Sequence, residues 1–293
     1  PAVSNAKRAS VYRMSVELCE KVNPEILQTA LTQTLPRFPT FGVRMQKGLF
    51  WYYFEQNLKK AAVLLESAPI CRPIDLRETN GYLFRVNYYN ARISLEVFHV
   101  LSDGTGAAAF LKALVFNYLA LLGKPVVADD GILDGQSCPA LGEIEDSFLK
   151  YFDQKAVSSR KESKAYQLKG TRIAPQYVRL TQGILRPGAF KSLAESCAST
   201  VTEYSAALII SAIYEMQLKG RGNRQPVKIS IPVNLRKHME SNTLRNFSSY
   251  VNVGMTFDSG EYTFEQILES VKEQLRNDVK REKLLEKIGA NVS

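Results

Sequence analysis

Histidine is nearly absent from this chain: His99 and His238 are the only two among 293 residues. Histidine is the side chain whose ordinary titration falls near neutral pH, so few groups here suit proton transfer at that pH. Cysteine is scarce too. Cys19, Cys71, Cys138 and Cys197 are scattered and form no Cys-x-x-Cys pair, which argues against a metal site or a disulfide framework and suits a reducing cytoplasm. No apolar run approaches the length of a membrane span, and no signal-peptide core is visible. Heptads, low-complexity tracts and short-period repeats are missing. Tryptophan occurs once, at Trp51. The first residue is Pro1 rather than Met, so the natural chain is expected to begin upstream.

With 45% hydrophobic and 23% charged residues, the composition is that of an ordinary globular protein. The length allows one large domain or two coupled ones. A formal charge of +9 invites a nucleic-acid reading. Yet Lys and Arg are spread along the chain, without clustered basic and aromatic residues, and no nucleic-acid partner is expected. Attraction of an anionic ligand is the more modest consequence.

Residues 11–19 alternate apolar and polar as a half-buried strand does. Asn23-Pro24 reads as an N-cap followed by proline at the first helical position, opening a helix that stops at Pro36. Strands are expected at 41–46, 49–55, 82–88 and 92–98, the last pair joined at Tyr89-Asn90-Ala91. From Val126 to about Pro175 the pattern weakens into a polar crossover, with at most one short helix near 143–152. A strand over Tyr177–Leu185 and a helix from Pro187 to Cys197 follow. Next comes a helix, apolar nearly all round, through Leu218, expected to be buried. Strands at 227–233 and 249–257 precede a final charged helix opened by Thr263 and Gln266.

The most informative stretch is His99-Val100-Leu101-Ser102-Asp103-Gly104, directly after the run Ile93–Phe98 and before a helix that starts in small residues. His99 at a strand end is placed to act as a general base. Asp103, too close in sequence to be a distant triad member, braces the turn, and Gly104 permits a backbone angle or close approach that a side chain would forbid. The residues by themselves leave a second reading open, a hydrogen-bonded structural histidine. His238 sits among Arg236, Lys237 and Glu240 and reads as a solvated histidine.

The stretch resembles the His-x-x-x-Asp-Gly motif of the CoA-dependent acyltransferase superfamily, which includes chloramphenicol acetyltransferase, peptide-synthetase condensation domains and alcohol acetyltransferases. Three further segments agree in order: Leu35–Arg44, Gly81–Val86 and Ile229–Arg236, the last holding Pro-Val-Asn-Leu-Arg. The resemblance implies an α/β fold of two chloramphenicol-acetyltransferase-like subdomains, each a mixed sheet covered by helices. Their expected bounds are 1–125 and 176–293, with a crossover at 126–175 and His99 at the junction.

On this resemblance His99 is the base of an acyl transfer from CoA to a hydroxyl or amine. Acyl-CoA is a cosubstrate, no cofactor is tightly bound, and the acceptor is a small hydroxylated molecule. Asp103 pairs with an arginine from the Arg37–Arg44 segment, Arg44 before Arg37, although either can equally be solvated or touch a phosphate. Asn234, Ser248, Ser249 and Asn252 are candidates for oxyanion or acceptor contacts, and Arg221 and Arg224 for the CoA phosphates, a loop that a plain helix–strand connection explains as well. Departures matter. Phe98 stands where condensation domains carry a second histidine, and no Asp-Phe-Gly-Trp-Gly segment occurs. The chain ends on a charged helix where the family continues, so the second subdomain is expected to be truncated. The alcohol acetyltransferase branch fits these features. The alternatives are a non-catalytic scaffold of the same fold and a condensation-like enzyme working on carrier-bound thioesters.

Overall fold

The computed structural model describes residues 10–67, 69–129, 131–133, 135, 137–153, 163–171, 173–174, 179–218, 225–257 and 261–292. Packing divides the chain into two units. The first holds the residues up to Ser147, a short stretch at 173–179 and, from much later in the sequence, Ser241–Phe247. That last segment was expected in the second subdomain.

In the first unit the order is β1 (Val11–Glu17), α1 (Pro24–Thr34), β2 (Val43–Lys47), β3 (Tyr52–Gln56), β4 (Val63–Leu65), β5 (Phe84–Tyr89), β6 (Arg92–Phe98) and α2 (Gly104–Leu121). Two four-residue helices follow, α3 (Leu141–Ile144) and α4 (Ser147–Lys150), the latter crossing into the second unit. Asn23 caps α1 as the sequence predicts, its Oδ1 accepting the Glu25 and Ile26 amides at 3.0 and 3.2 Å. The main sheet runs β1-β6-β5-β4, antiparallel except for the parallel β4–β5 pair. The short strand β4 carries too little pattern to be read from sequence.

The register gives this sheet two different faces. Met14 opposes Leu95, which opposes Val86, and Tyr12 and Phe84 flank Val97, so one face is apolar. It packs under α1 and α2 around Phe38, Phe41, Phe84 and Phe110, whose rings lie 4.5–6.2 Å apart. On the other face Arg13, Glu96 and Arg85 are aligned, Glu96 and Arg85 buried and Arg13 partly so. Glu96 is bound by both arginines and accepts the Cys71 amide at 2.9 Å. A buried carboxylate needs such partners, since burying an unpaired charge is costly.

Against the expectation that no run could span a membrane, α2 is 18 residues of mean hydropathy 1.3, long and apolar enough by length and composition. It serves as a core helix, burying Ala107, Phe110, Ala113, Leu114 and Tyr118.

The second unit contains α5 (Pro187–Ser196), α6 (Val201–Leu218), β7 (Val227–Asn234), β8 (Ser248–Met255), α7 (Phe264–Asp278) and α8 (Arg281–Val292). Strands β7 and β8 form an antiparallel pair, and Thr263 and Gln266 make the capping box that starts α7. Two expectations fail here. Residues 179–185 are not a strand, and Leu180, Ile184 and Leu185 lie exposed, with no sheet neighbour among the described residues; residues 175–178 lie outside the described ones. Helix α6 is not buried all round either. Ala207, Ile210 and Tyr214 face inward, whereas Ile209 and Met216 are about half exposed, because α7 and a two-stranded sheet cover only one side.

Candidate active site

Strand β6 ends at Phe98, and a tight turn closed by Leu101 N–H on the Phe98 carbonyl (2.9 Å) carries the chain into α2. His99 is the second residue of that turn. Its backbone is held at both ends: its amide donates to the Ser10 carbonyl at 2.7 Å, and its carbonyl accepts the Asn246 side-chain amide at 2.9 Å. The half-buried imidazole leans on Tyr12, ring centroids 4.8 Å apart at 55°. Among the described residues, neither ring nitrogen makes a hydrogen bond. The fold holds the His99 backbone in place and leaves the ring nitrogens for other chemistry.

Asp103 is buried and is the N-cap of α2. Oδ1 accepts the Thr105 and Gly106 amides at 3.0 and 3.3 Å, and Oδ2 accepts the Phe247 amide at 2.8 Å. Its negative charge at a helix N-terminus is favourable in itself. The expected pairing with Arg44 is not what the structure shows: Arg44 is ion-paired with Glu55 on the neighbouring strand, its cross-strand partner in register. Arg37, the second choice, acts at one remove. Its buried guanidinium grips Glu143 with two hydrogen bonds and donates to Ser137 Oγ at 2.8 Å. The Glu143 carbonyl in turn accepts the Leu244 amide at 2.7 Å.

The segment 241–247 is therefore a second wall of the motif loop. Ser102 Oγ donates to the Leu244 carbonyl at 2.6 Å, Thr243 Oγ1 donates to the Glu145 carbonyl at 2.6 Å, and Arg245 meets Asp146 at 3.3 Å. Gly106 is what permits this approach. A Cβ there would lie 2.1 Å from the Leu244 carbonyl oxygen and 2.2 Å from Ser102 Oγ. Gly104, which the motif singles out, has open space around its Cβ position and no left-handed backbone; the close approach expected at Gly104 belongs to Gly106.

Tyr12 is a residue that sequence reasoning missed. Besides the ring contact, its hydroxyl donates to the Ser102 carbonyl at 3.1 Å. Burial first, and the nearby charge of Asp103 second, push its phenol far above the ordinary value, against the opposing pull of the Ser102 hydrogen bond. It stays a protonated donor. An alternating strand gives no sign of which tyrosine will lie under a histidine 87 positions away.

The remaining candidates belong to the second unit or lie outside the described residues. Asn234, Ser248, Ser249 and Asn252 all belong to the β7–β8 hairpin of the second unit. Asn234 faces Ser248 in register and caps the turn that follows, accepting the Arg236 amide at 3.1 Å; Asn252 is hydrogen-bonded to Ser230. His238 is half-buried at the end of that turn. Arg221 and Arg224 lie outside the described residues. Within the first unit, β1 and α2 also line an apolar cavity of about 480 Å3, formed by Met14, Val16, Leu111, Val115, Phe116 and Leu119, with Lys112 and Asp129 contributing its charges.

No family model matches this chain, and no curated protein matches it. Solved structures do. Polyketide synthase associated protein 5 from Mycobacterium tuberculosis superposes with a TM-score of 0.62 at 13% identity, over 97% of this chain and 74% of that one. The first condensation domain of the calcium-dependent antibiotic synthetase, bound to a substrate analogue, gives 0.61 at 18% identity over 96% and 73%. A starter condensation domain of rhizomide synthetase, in complex with C8-CoA and Leu-SNAC, gives 0.59 at 13% identity over 96% and 69%. The chain thus has the α/β fold that condensation domains share with CoA-dependent acyltransferases, its sheets flanked by helices.

Proposed function

We propose that this protein transfers an acyl group from a thioester to an amine or hydroxyl acceptor, with His99 as general base. The observation that carries the reading is a histidine whose backbone is pinned at both its amide and its carbonyl, and whose ring nitrogens are unengaged among the described residues. In the reaction His99 takes the proton of the acceptor N–H or O–H as that atom attacks the thioester carbonyl. The carbon–sulfur bond then breaks, and the proton goes to the departing thiolate. A thioester is already activated, so no acyl-enzyme is needed.

The condensation-domain neighbours, one of them in complex with C8-CoA and Leu-SNAC, support a condensation-like version of this reaction. Phe98 in place of a second histidine supports the other version, free acyl-CoA and an alcohol acceptor.

Thiol release separates these. The chain is incubated with acyl-CoA, acyl-pantetheine and carrier-bound thioesters, each with an alcohol and an amine panel. Turnover only with carrier-bound donors assigns the condensation-like version, and turnover with free acyl-CoA assigns the acetyltransferase-like one. His99→Ala is expected to lose about a hundred- to ten-thousandfold in rate. Undiminished turnover in that variant removes the base assignment, and a complete lack of turnover for the unmodified protein leaves a scaffold role.

A further inference from the structure

The β2–β3 hairpin ends in a surface that the acyl-transfer reading does not use. From Met45 to Phe54 the sequence is Met-Gln-Lys-Gly-Leu-Phe-Trp-Tyr-Tyr-Phe, with one cation and no acid. At the tip Gly48 donates its amide to the Trp51 carbonyl at 2.7 Å and lets the indole fold over the turn, 3.3 Å from where its Cβ would stand. Leu49 and Phe50 then point outward at 81% and 87% exposure, with Trp51 at 62% and Tyr52 and Tyr53 about half exposed. Leaving five large apolar or aromatic side chains together in water is unfavourable for a surface with nothing to meet.

We propose that this tip inserts into the headgroup layer of an anionic lipid surface. The order of side chains along the hairpin matches the layers of such an interface. Aliphatic and phenyl groups stand at the apex, and the amphipathic rings of Trp51, Tyr52 and Tyr53 come next, where interfacial belts place them. Lys47 faces Tyr52 in register at phosphate depth, and the Arg44–Glu55 ion pair lies behind. The net charge of +9 draws the whole molecule to an anionic surface. Shape favours lipid over protein. A stable protein interface takes about 800 Å2 and some twenty residues from each partner, far more than a convex five-residue tip offers, whereas a fluid lipid layer closes around it.

Because Trp51 is the sole tryptophan, its fluorescence reports on the tip alone. The full chain is titrated with phosphatidylcholine vesicles, with and without phosphatidylglycerol, and with the same vesicles carrying brominated acyl chains. The expected result is a shift of emission to shorter wavelength with bromine quenching, stronger on the anionic vesicles and weakened by salt. Leu49→Ser/Phe50→Ser, which keeps Trp51, is expected to partition about a hundredfold more weakly while circular dichroism and melting stay as in the unmodified protein. Emission indifferent to both kinds of vesicle overturns the proposal, as does a double variant that partitions as well as its parent. A concentration-dependent shift without lipid, matched by dimers in sedimentation, assigns the tip to a second copy of the chain and overturns it too.

Discussion

Both carboxylate oxygens of Asp103 are used by the fold, so an amide at this position cannot serve every donor: Oδ1 takes the Thr105 and Gly106 amides and Oδ2 takes that of Phe247. In Asp103→Asn one oxygen becomes an NH2 group, which sets donor against donor at one of these sites and removes the charge from the α2 N-terminus. The expected loss is about 1–3 kcal/mol, read by denaturant unfolding. Retained stability with lost turnover would move Asp103 from bracing into the chemistry itself. Tyr12 supports the same loop from below, its raised titration keeping it a donor to Ser102.

Two glycines two residues apart in α2 separate a motif letter from a packing need. At Gly106 an added Cβ meets the Leu244 carbonyl at 2.1 Å, and that atom is backbone, which cannot rotate away. Gly106→Ala is expected to displace the 241–247 segment, lower stability by about 1–3 kcal/mol and speed hydrogen exchange at the Leu244 and Phe247 amides. Gly104→Ala has room and sits in the first turn of a helix. A gain of roughly 0.4–1 kcal/mol is expected there, from reduced freedom of the unfolded chain. Melting of the two variants side by side checks both, and equal destabilisation would mean that the close approach is not what Gly106 serves.

Acid sensitivity belongs to the whole molecule, because each unit holds a glutamate below its ordinary titration range. Burial works to raise Glu66, but Arg13 and Arg92 outweigh it; burial works to raise Glu203, but Arg276 and the Thr200 contacts outweigh it. A carboxylate depressed in the folded state stabilises it fully above the unfolded value of about 4.3. That stabilisation is lost as pH falls through the lower folded values, where protonation breaks the pairs. Melting temperature is therefore expected to fall steeply on acidification below about 4.3, and Glu66→Gln and Glu203→Gln should each flatten that fall. An unchanged slope in both variants would place the acid-labile groups elsewhere.

Local pattern was enough for the parts that depend on near neighbours. Asn23-Pro24 opening α1, Thr263 and Gln266 opening α7, the β5–β6 hairpin and the placement of His99 at a strand end all rest on residues a few positions apart. The chain therefore declares them without help. The α/β fold was implied by the resemblance of the His99–Gly104 stretch and three further segments to a known family, and the neighbours' structures agree with it. Tertiary structure alone decided what depends on distant residues. The arginine expected at Asp103 went to Glu55 in one case and to Glu143 in the other, because pairing follows sheet register and helix packing rather than sequence order. Residues 177–185 read as a strand, yet over the described 179–185 none forms, because a strand exists only where a neighbour supplies hydrogen bonds. The wall built by Ser241–Phe247 joins groups more than 140 positions apart. No local pattern encodes which carbonyl will come to rest against Gly106; that is settled when the chain closes on itself.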